Sequence, residues 1–386
     1  MSTTPKTYTL LLLGDVMIGR LIDALLPTSI ARQSSHSDPE SAAWTVDKHI
    51  LPRYPQLKSY DYLSPWGNST DLIRKSDVVL ANLETAVTTS EKKWPSKVFN
   101  YRTHPGNVRC LTDVGMGGGT KRGCVSLANN HTLDWDVEGL QETVKTLDEN
   151  GVEFAGAGRT KEEASRPATL RLGGEDGWDI KCWSFADHPS EWKAVDTFNL
   201  IDYTAKGREM IKGQLLAKDH SEGQRKLGLK VVSMHWGPNY RWHPAREIVD
   251  LAHWMIDECG VDIIHGHSSH HVQGVEIYKG KLAVYGCGDF VDDYAVDPKF
   301  RNDLSAAWKV SLGEKTEKKE GESELEVRRL EVFPNRIERF HAQLLQKDDP
   351  DHEWVERILR KLCHRFGTKV EKDLGGEGQI IIEVNP

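Results

Sequence analysis

Carboxylate, amide and imidazole side chains follow several apolar segments of the chain, each at the point where a buried strand would end. Asp15 ends the first segment, Glu84 the second, Asn130 and His131 the third, and His235 a later one. Open α/β sheets bind ligands at the carboxyl ends of their strands. Imidazole and carboxylate together suit Zn²⁺, Mn²⁺ or iron. The pattern therefore favours a metal site built from several strand ends.

A cluster of histidines is the most specific of these signals. The segment 265–271 holds four histidines in seven residues, which packing alone does not explain. Each other position has a simpler alternative, because Asp and Asn are common in turns and helix caps. His235 alone could be a hydrogen-bonded core residue. Taken together, the positions favour metal binding or catalysis.

The elements that would position these residues alternate between short apolar runs and helical patterns. The candidate strands are Tyr8–Val16, Asp77–Glu84, Cys124–Ala128, Val152–Ala155, Ile180–Phe185, Leu229–Met234, Val261–Ile264 and Leu282–Tyr285. Apolar residues at helical spacing predict one helix before Gly151 and another between Pro244 and Gly260. This alternation indicates an α/β fold with buried strands.

Composition excludes several classes of function. The 386 residues carry 50 Lys and Arg against 58 Asp and Glu, a net charge of −8, which argues against nucleic acid as a partner. The chain has no apolar stretch long enough for a transmembrane helix, so no membrane partner is expected. The short apolar run Leu10–Leu13 leads directly to Asp15, unlike a secretion signal. Six cysteines without a Cys-x-x-Cys pair predict reduced thiols and a cytoplasmic location.

Several segments, taken together, resemble the capsule synthesis protein CapA family. This family is the poly-γ-glutamate branch of the calcineurin-like metallophosphoesterases. The matching segments occur in family order over roughly residues 8 to 294: Gly14–Arg20, Asn82–Glu84, Ser126–Thr132, His235–Gly237, Gly266–His270 with Gln273 and Glu276, and Cys287–Phe290. The resemblance implies a four-layer α/β sandwich.

The same resemblance sets the expected domain organisation. Residues 1–312 would form the metallophosphoesterase-fold catalytic domain, with 27–70 as an insertion. Residues 313–386 would form a charged loop followed by a strand and a helix packed on the same domain. The apolar and charged residues of Leu325–Phe333 alternate as in a half-exposed strand, and Trp354–Phe366 has an amphipathic helical pattern.

The resemblance also implies a site for one or two divalent ions, either Zn, Mn or Fe. Its implied metal ligands are Asp15, Glu84, Asn130, His235, His267 and His270. Asp15 and His270 would hold the first ion, and Glu84 would bridge to a second ion held by the other three. His131 would act as a general acid or as a hydrogen-bond donor. His131 and Asp15 are thus the candidate catalytic residues.

Departures from the family pattern affect the first ion most. The wider superfamily has Asp-x-His in its first motif, but Met17 occupies the histidine position here. Because a thioether is a poor ligand for a hard ion, the first position is expected to bind weakly. Asp289 replaces the family's Asn, Asn239 replaces a Glu, and Ser268-Ser269 replaces His-Pro. These changes suggest a substrate other than the capsule polymer.

Several polar and aromatic residues near the motifs are candidates for substrate binding. They are Arg20, Asn82, His188, Trp236, Tyr240 and Arg241. Arg20 and Arg241 could pair with an anionic substrate or form structural ion pairs. The segment 236–242 could line a substrate groove or pack as an ordinary surface loop.

Three functions remain open from the sequence. The first is a metal-dependent hydrolase that cuts an amide bond of a peptide-like or γ-glutamyl small molecule through metal-activated water. The second is a phosphomonoesterase or phosphodiesterase, against which Met17 argues because phosphate transfer is best served by two ions. The third is a non-catalytic component of polymer synthesis. The oligomeric state is left open.

Overall fold

The computed structural model describes residues 6–33, 41–217, 225–317 and 322–385. Strands β1–β17 are Tyr8–Val16, Val78–Leu83, Ala86–Val87, Arg102–Thr103, Gly123–Ser126, Glu153–Ala155, Ala168–Leu172, Trp178–Ala186, Lys226–His235, Ile263–His267, Val275–Tyr278, Lys281–Val284, Asp289–Val291, Leu304–Glu314, Leu325–Glu338, His341–Leu344 and Ile380–Glu383. Helices α1–α9 are Arg20–Leu25, Ala42–Thr45, Thr70–Lys75, Arg109–Thr112, Asp136–Glu149, Lys161–Ser165, Ala205–Leu215, Arg246–Cys259 and Pro350–His364.

Two large sheets contain most of these strands. The larger has the order β16-β15-β14-β1-β2-β5-β6, with β13 also paired to β1 and β17 to β15. The smaller has the order β11-β12-β10-β9-β8-β7. Strands β1, β2, β5 and β6 run parallel in the first sheet, and β8, β9, β10 and β12 in the second. Parallel strands place their carboxyl ends along one edge of each sheet.

The apolar residues of β1 show how the layers stack. Leu10 and Leu12 face the core between the two sheets, whereas Leu11 and Leu13 face the core under α5. This alternation is the period of two expected for a strand covered on both faces. Helices α7 and α8 cover the outer face of the smaller sheet. The four layers confirm the predicted α/β sandwich.

The predicted elements are present with small shifts at their ends. Helix α8 ends at Cys259, and Gly260 adopts the left-handed conformation (φ 69°) that closes many helices. The predicted late helix begins earlier, at Pro350, because the Asp349 side chain caps its first turn. The sequence patterns missed eight strands: β3, β4, β7, β11, β13, β14, β16 and β17. They are short, or alternate weakly between apolar and polar residues.

The segments outside the predicted catalytic domain join the same sheets. Strands β15, β16 and β17 extend the larger sheet, and α9 contacts β15 and β11. The insertion 27–70 contains α2, the start of α3 and short turns of other helix types, and its residues 34–40 lie outside the described ranges. The charged loop begins where β14 ends, and residues 318–321 of it are likewise not described.

Two general predictions concern membranes and cysteines. Within the described ranges, no helix has the length and apolar character needed to cross a membrane. All six cysteines are buried with free thiols, as predicted from their spacing.

Candidate metal centre

Strand ends from both sheets meet at one buried point. His235 and His267 are the last residues of β9 and β10 and lie opposite each other in the sheet register. Asp15 lies near the end of β1, in the other sheet. Its Oδ1 atom is 3.9 Å from His267 Nδ1, and all three side chains are buried. The convergence expected from the sequence is therefore present.

One set of side chains at this point is rich in nitrogen. The ligand atoms of Asp15, His235 and His267 lie within 4.8 Å of one another, and the Nδ1 atoms of the two histidines are 2.8 Å apart. We call these residues the imidazole-rich group. Two imidazoles and a carboxylate form a ligand set typical of Zn²⁺.

Neighbouring residues fix the protonation of His267. His265 Nε2 donates a hydrogen bond to the Leu13 carbonyl at 2.9 Å, and burial lowers the pKa of His265 to about 4. His265 is therefore neutral near pH 7, and its Nδ1 accepts the Ser233 hydroxyl. Ser233 Oγ in turn accepts the Nε2–H of His267. By this assignment from hydrogen-bond partners, the lone pair of His267 Nδ1 faces Asp15 and His235.

A second set of side chains is rich in oxygen. Ligand atoms of Asp15, Glu84, His270 and Asp289, all buried, lie within 4.8 Å of one another. His270 Nδ1 is 2.8 Å from Asp289 Oδ1 and 3.6 Å from Asp15 Oδ2. We call these residues the carboxylate-rich group. The sequence patterns treated Asp289 only as a departure from the family, so its place in this group was missed.

Several buried oxygen atoms at the centre have no hydrogen-bond partner. They are Asp15 Oδ2, Glu84 Oε1 and Asp289 Oδ2; Asn130 Oδ1, on the residue before His131, likewise lacks a partner. Burial raises the pKa of all three carboxyl groups, and the charge of neighbouring carboxylates raises it further for Glu84 and Asp289. Buried polar atoms and charges are normally paired or bound to a metal. The residues at this point therefore fit a divalent cation.

Two carboxylates connect the imidazole-rich group with the carboxylate-rich group. Asp15 belongs to both. Glu84 belongs to the carboxylate-rich group, yet its Oε1 atom is also 4.0 Å from His235 Nε2. The other oxygen, Oε2, accepts a weak hydrogen bond of 3.4 Å from the Tyr294 hydroxyl. This placement suits the bridging role expected for Glu84 and extends that role to Asp15.

A chain of amides links Asp15 to His131. Asn82 Nδ2 donates to Asp15 Oδ1 at 2.7 Å, and Asn129 Nδ2 donates to Asn82 Oδ1 at 3.0 Å. Asn129 Oδ1 accepts the backbone N–H of His131. Asn82 is fully buried, and both ends of its amide are used inside the protein. In the structure it orients Asp15, which differs from its expected role in substrate binding.

The His131 ring is held by two neighbours, Asp134 and Tyr101. Its Nδ1 is 2.7 Å from Asp134 Oδ2, and its face stacks on Tyr101 with ring centroids 4.0 Å apart. Asp134 also accepts the Tyr101 backbone N–H and pairs with Lys97 Nζ at 2.6 Å. Since this carboxylate acts as an acceptor, the ring proton lies on Nδ1 and Nε2 is the atom left for chemistry. Burial lowers the pKa of His131.

The loop after β10 has an unusual backbone. Ser268 (φ 89°) and His270 (φ 61°) both lie in the left-handed region. Such residues cost on the order of 1–3 kcal/mol each and are concentrated at functional sites. The Ser268 hydroxyl donates to the Gly237 carbonyl at 3.0 Å, which helps to hold the loop in this shape. The strained backbone brings His270 back toward Asp15.

Two of the predicted substrate-binding residues have structural contacts. Trp236 is 3% exposed in the core beneath α8, and its Nε1 donates to the Tyr285 carbonyl. Its expected place in a substrate groove is wrong, because its ring is used in packing. Arg20 forms the structural ion pair that the sequence left open, with Nε 3.2 Å from Asp293 Oδ1, although its side chain stays 36% exposed.

The other three residues predicted to bind substrate are His188, Tyr240 and Arg241. The His188 ring is 5.0 Å from that of His235, and the Tyr240 ring is 5.8 Å from that of His270. Both are half-buried, and their role in substrate binding stays a prediction. Arg241 is exposed, and its carbonyl accepts a hydrogen bond from Gln273.

Sequence signals existed for some of the residues that were missed. Gly288-Asp289 repeats the dipeptide Gly14-Asp15, and Asp134 follows His131 at a spacing that permits contact. Ser233 precedes His235 by two residues and so shares its face of β9. Lys97 carried no signal, because it lies in an irregular loop.

Comparison with known proteins identifies the family. Residues 9–294 match the family described as "Bacterial capsule synthesis protein PGA_cap". The chain belongs to this family. The resemblance to CapA proteins stated from the motifs is thereby confirmed.

Relatives in this family carry names connected with polymer synthesis. A probable polyglutamine synthesis accessory protein of Mycobacterium tuberculosis is 32% identical over 389 residues, which cover 96% of this chain and 95% of the relative. The PGA biosynthesis protein CapA of Bacillus subtilis is 26% identical, with 67% of this chain and 65% of the relative covered. The capsule biosynthesis protein CapA of Bacillus anthracis is also 26% identical, with 75% and 60% covered.

Proposed function

We propose that the protein is a metal-dependent hydrolase that cleaves an amide bond of a peptide-like or γ-glutamyl substrate. The observation that carries this proposal is the set of buried oxygens without partners on Asp15, Glu84, Asn130 and Asp289. His131 lies near this site: burial lowers the pKa of His131 and of His235, and the proximity of His270 to His131 and of His131 to His235 adds to the effect. The names of the relatives, which refer to PGA and polyglutamine synthesis, favour an amide over an ester.

The residues around the centre would have different roles in the reaction. The imidazole-rich and carboxylate-rich groups would hold a divalent ion, which would supply Lewis-acid polarisation and a lowered pKa for water. His131 Nε2, the ring atom not used by Asp134, accepts the proton of the attacking water. Asp134 stabilises the imidazolium that forms, and Nε2 then gives the proton to the leaving amine. Asn82 and Asn129 keep Asp15 and His131 in a fixed relation during these steps.

Phosphoester hydrolysis is the second candidate, and one observation favours it. The carboxylate-rich group has four potential ligands, although the sequence predicted three for that position because of Met17. Two filled positions that share Asp15 and Glu84 would form a clamp suited to in-line displacement at phosphorus. The structure thus weakens the sequence argument against phosphatase activity.

Substrate panels with defined ions distinguish the candidates. Protein stripped with a chelator is reloaded with Zn²⁺, Mn²⁺ or both, then assayed with γ-glutamyl anilides, short γ-linked glutamate peptides and aryl phosphates. Turnover of the amides that requires metal and falls strongly in His131→Gln supports the proposal. Rapid hydrolysis of aryl phosphates alone favours the phosphoesterase. Absence of turnover across the panel favours the accessory role named for the mycobacterial relative.

A further inference from the structure

We propose that Asp289 is a direct metal ligand and that the carboxylate-rich group forms a second, oxygen-rich position selective for Mn²⁺. This inference rests on the proposed metal dependence, but it names a ligand that the family pattern does not supply and selects one ion for that position. It is argued from strand register, from oxygen atoms without partners and from the chemistry of the donor set.

Strand register places Asp289 beside Asp15. Strand β13 pairs in parallel with β1, and Asp15 lies opposite Asp289. The close approach requires glycine, because a Cβ atom on Gly14 would lie 1.7 Å from the Gly288 carbonyl oxygen. The Asp15 backbone N–H donates to that same oxygen at 3.1 Å. The backbone therefore forces two carboxylates together at the end of the sheet.

The protein supplies too few hydrogen-bond donors and positive charges for the carboxylates brought together in this way. Asp289 Oδ1 faces His270, but its Oδ2 atom has no hydrogen-bond partner, and the same is true of Asp15 Oδ2 and Glu84 Oε1. Asp292, also buried, adds a fourth negative charge nearby. A single imidazole cannot balance this charge. A bound cation would supply the missing partner for each of the three oxygens.

The donor set determines which ion fits. Met17 does not add a nitrogen ligand, and its sulfur accepts the Gly19 N–H at 3.3 Å. The group thus offers oxygens of Asp15, Glu84 and Asp289 and one imidazole from His270. Carboxylate-rich sites suit Mn²⁺ and Mg²⁺, whereas sites with several imidazoles suit Zn²⁺. One imidazole among three carboxylates favours Mn²⁺ of the two hard ions.

Mn²⁺ binding to the full-length protein tests the inference without any substrate. Protein stripped of metal is titrated with Mn²⁺, and free Mn²⁺ is measured by electron paramagnetic resonance. We expect Asp289→Asn, which keeps the shape of the side chain, to weaken the tightest Mn²⁺ site by at least about tenfold. His267→Ala should keep that Mn²⁺ site and lose tight Zn²⁺ binding. Near-ultraviolet circular dichroism verifies that each variant is folded.

Asp293→Asn is the matched control, since the Asp293 side chain is also buried on this segment but pairs with Arg20. It should leave Mn²⁺ affinity within about twofold, because Asp293 belongs to neither ligand group and its charge is paired with Arg20. Unchanged Mn²⁺ binding in Asp289→Asn, or equal losses in both Asp variants, would overturn the inference. If Mn²⁺ binding depends on Asp289 while no substrate is hydrolysed, the metal position stands and the proposed hydrolase activity fails.

Discussion

The imidazole-rich and carboxylate-rich groups share Asp15 but are prepared for an ion in different ways. In the first, the hydrogen bonds from Leu13 through His265 and Ser233 fix the His267 ring before any ion arrives. In the second, buried carboxylates face one another with oxygen atoms that lack partners. The first group is organised by the protein itself, whereas the second needs an ion to complete its bonding.

The largest effect is expected at the shared residue. Asp15→Asn should remove tight binding of both Zn²⁺ and Mn²⁺, because Asp15 contributes to both groups. The loss should exceed the roughly 10–100-fold that changes in outer-shell partners cause. Elemental analysis after dialysis measures both ions at once. Loss of only one ion would show that the two groups do not share this ligand.

A change at His131 should separate chemistry from metal binding. We expect His131→Gln to lower turnover by about 10²–10⁴-fold, the usual contribution of a general acid–base group. Both ions should remain, since His131 belongs to neither ligand group. Steady-state kinetics and elemental analysis on the same sample give the two readings. A variant that lost either ion would make His131 a ligand and would contradict its assigned role.

The hydrogen bonds behind His267 can be tested through Ser233. Ser233→Ala should weaken Zn²⁺ binding by about 10–100-fold, because the Nε2 proton of His267 loses its acceptor. Mn²⁺ binding at the carboxylate-rich group should stay nearly unchanged. Competition with a chromogenic chelator measures both affinities.

Ser184 offers the control for this experiment. It lies opposite Ser233 on the neighbouring strand and is also buried, but its hydroxyl bonds with Ser126. Ser184→Ala should leave Zn²⁺ affinity unchanged. Equal losses of Zn²⁺ affinity in both variants would mean that the substitutions disturb packing of the sheet. Ser233 would then not act by orienting the His267 ring.

The smallest effect concerns stability without metal. In the presence of a chelator, Glu84→Gln should stabilise the protein by about 1 kcal/mol, because it removes one of several uncompensated buried charges. Ser233→Ala should instead destabilise it, since it leaves buried nitrogen atoms without a partner. Denaturant unfolding measures both changes. Destabilisation by Glu84→Gln would mean that the carboxylate-rich group is already satisfied without an ion.

The sequence predicted those parts of the site that depend on local pattern. Asp15, Glu84 and His235 each follow an apolar strand, so their convergence follows from the parallel sheets. Asp289 was not predicted because its role depends on the register of β13 against β1, strands that lie far apart in the chain. Burial of Trp236 likewise depends on α8, which covers the smaller sheet.

Fold class was predictable for a similar reason. Buried parallel strands carry continuous apolar runs, and the intervening helices carry apolar residues at helical spacing, so both patterns are visible locally. Strands such as β7 and β11 pair as hairpin neighbours at the sheet edge, and their short, mixed sequences carry no such signal. The hydrogen bonds of Asn82 could not be read from the sequence either, because Asn at a strand end suits a turn, a ligand or an orienting role equally well.

The contact between Gly14 and Gly288 has a consequence for how the protein is made. Asp15 emerges from the ribosome long before its neighbour Asp289, because 274 positions separate the two residues in the chain. Until β13 takes its place, Asp15 lacks the Asp289 carboxylate beside it and the Gly288 carbonyl that accepts its N–H. The carboxylate-rich group is therefore incomplete in every nascent chain that ends before Asp289, and the proposed Mn²⁺ position could form only after β13 pairs with β1.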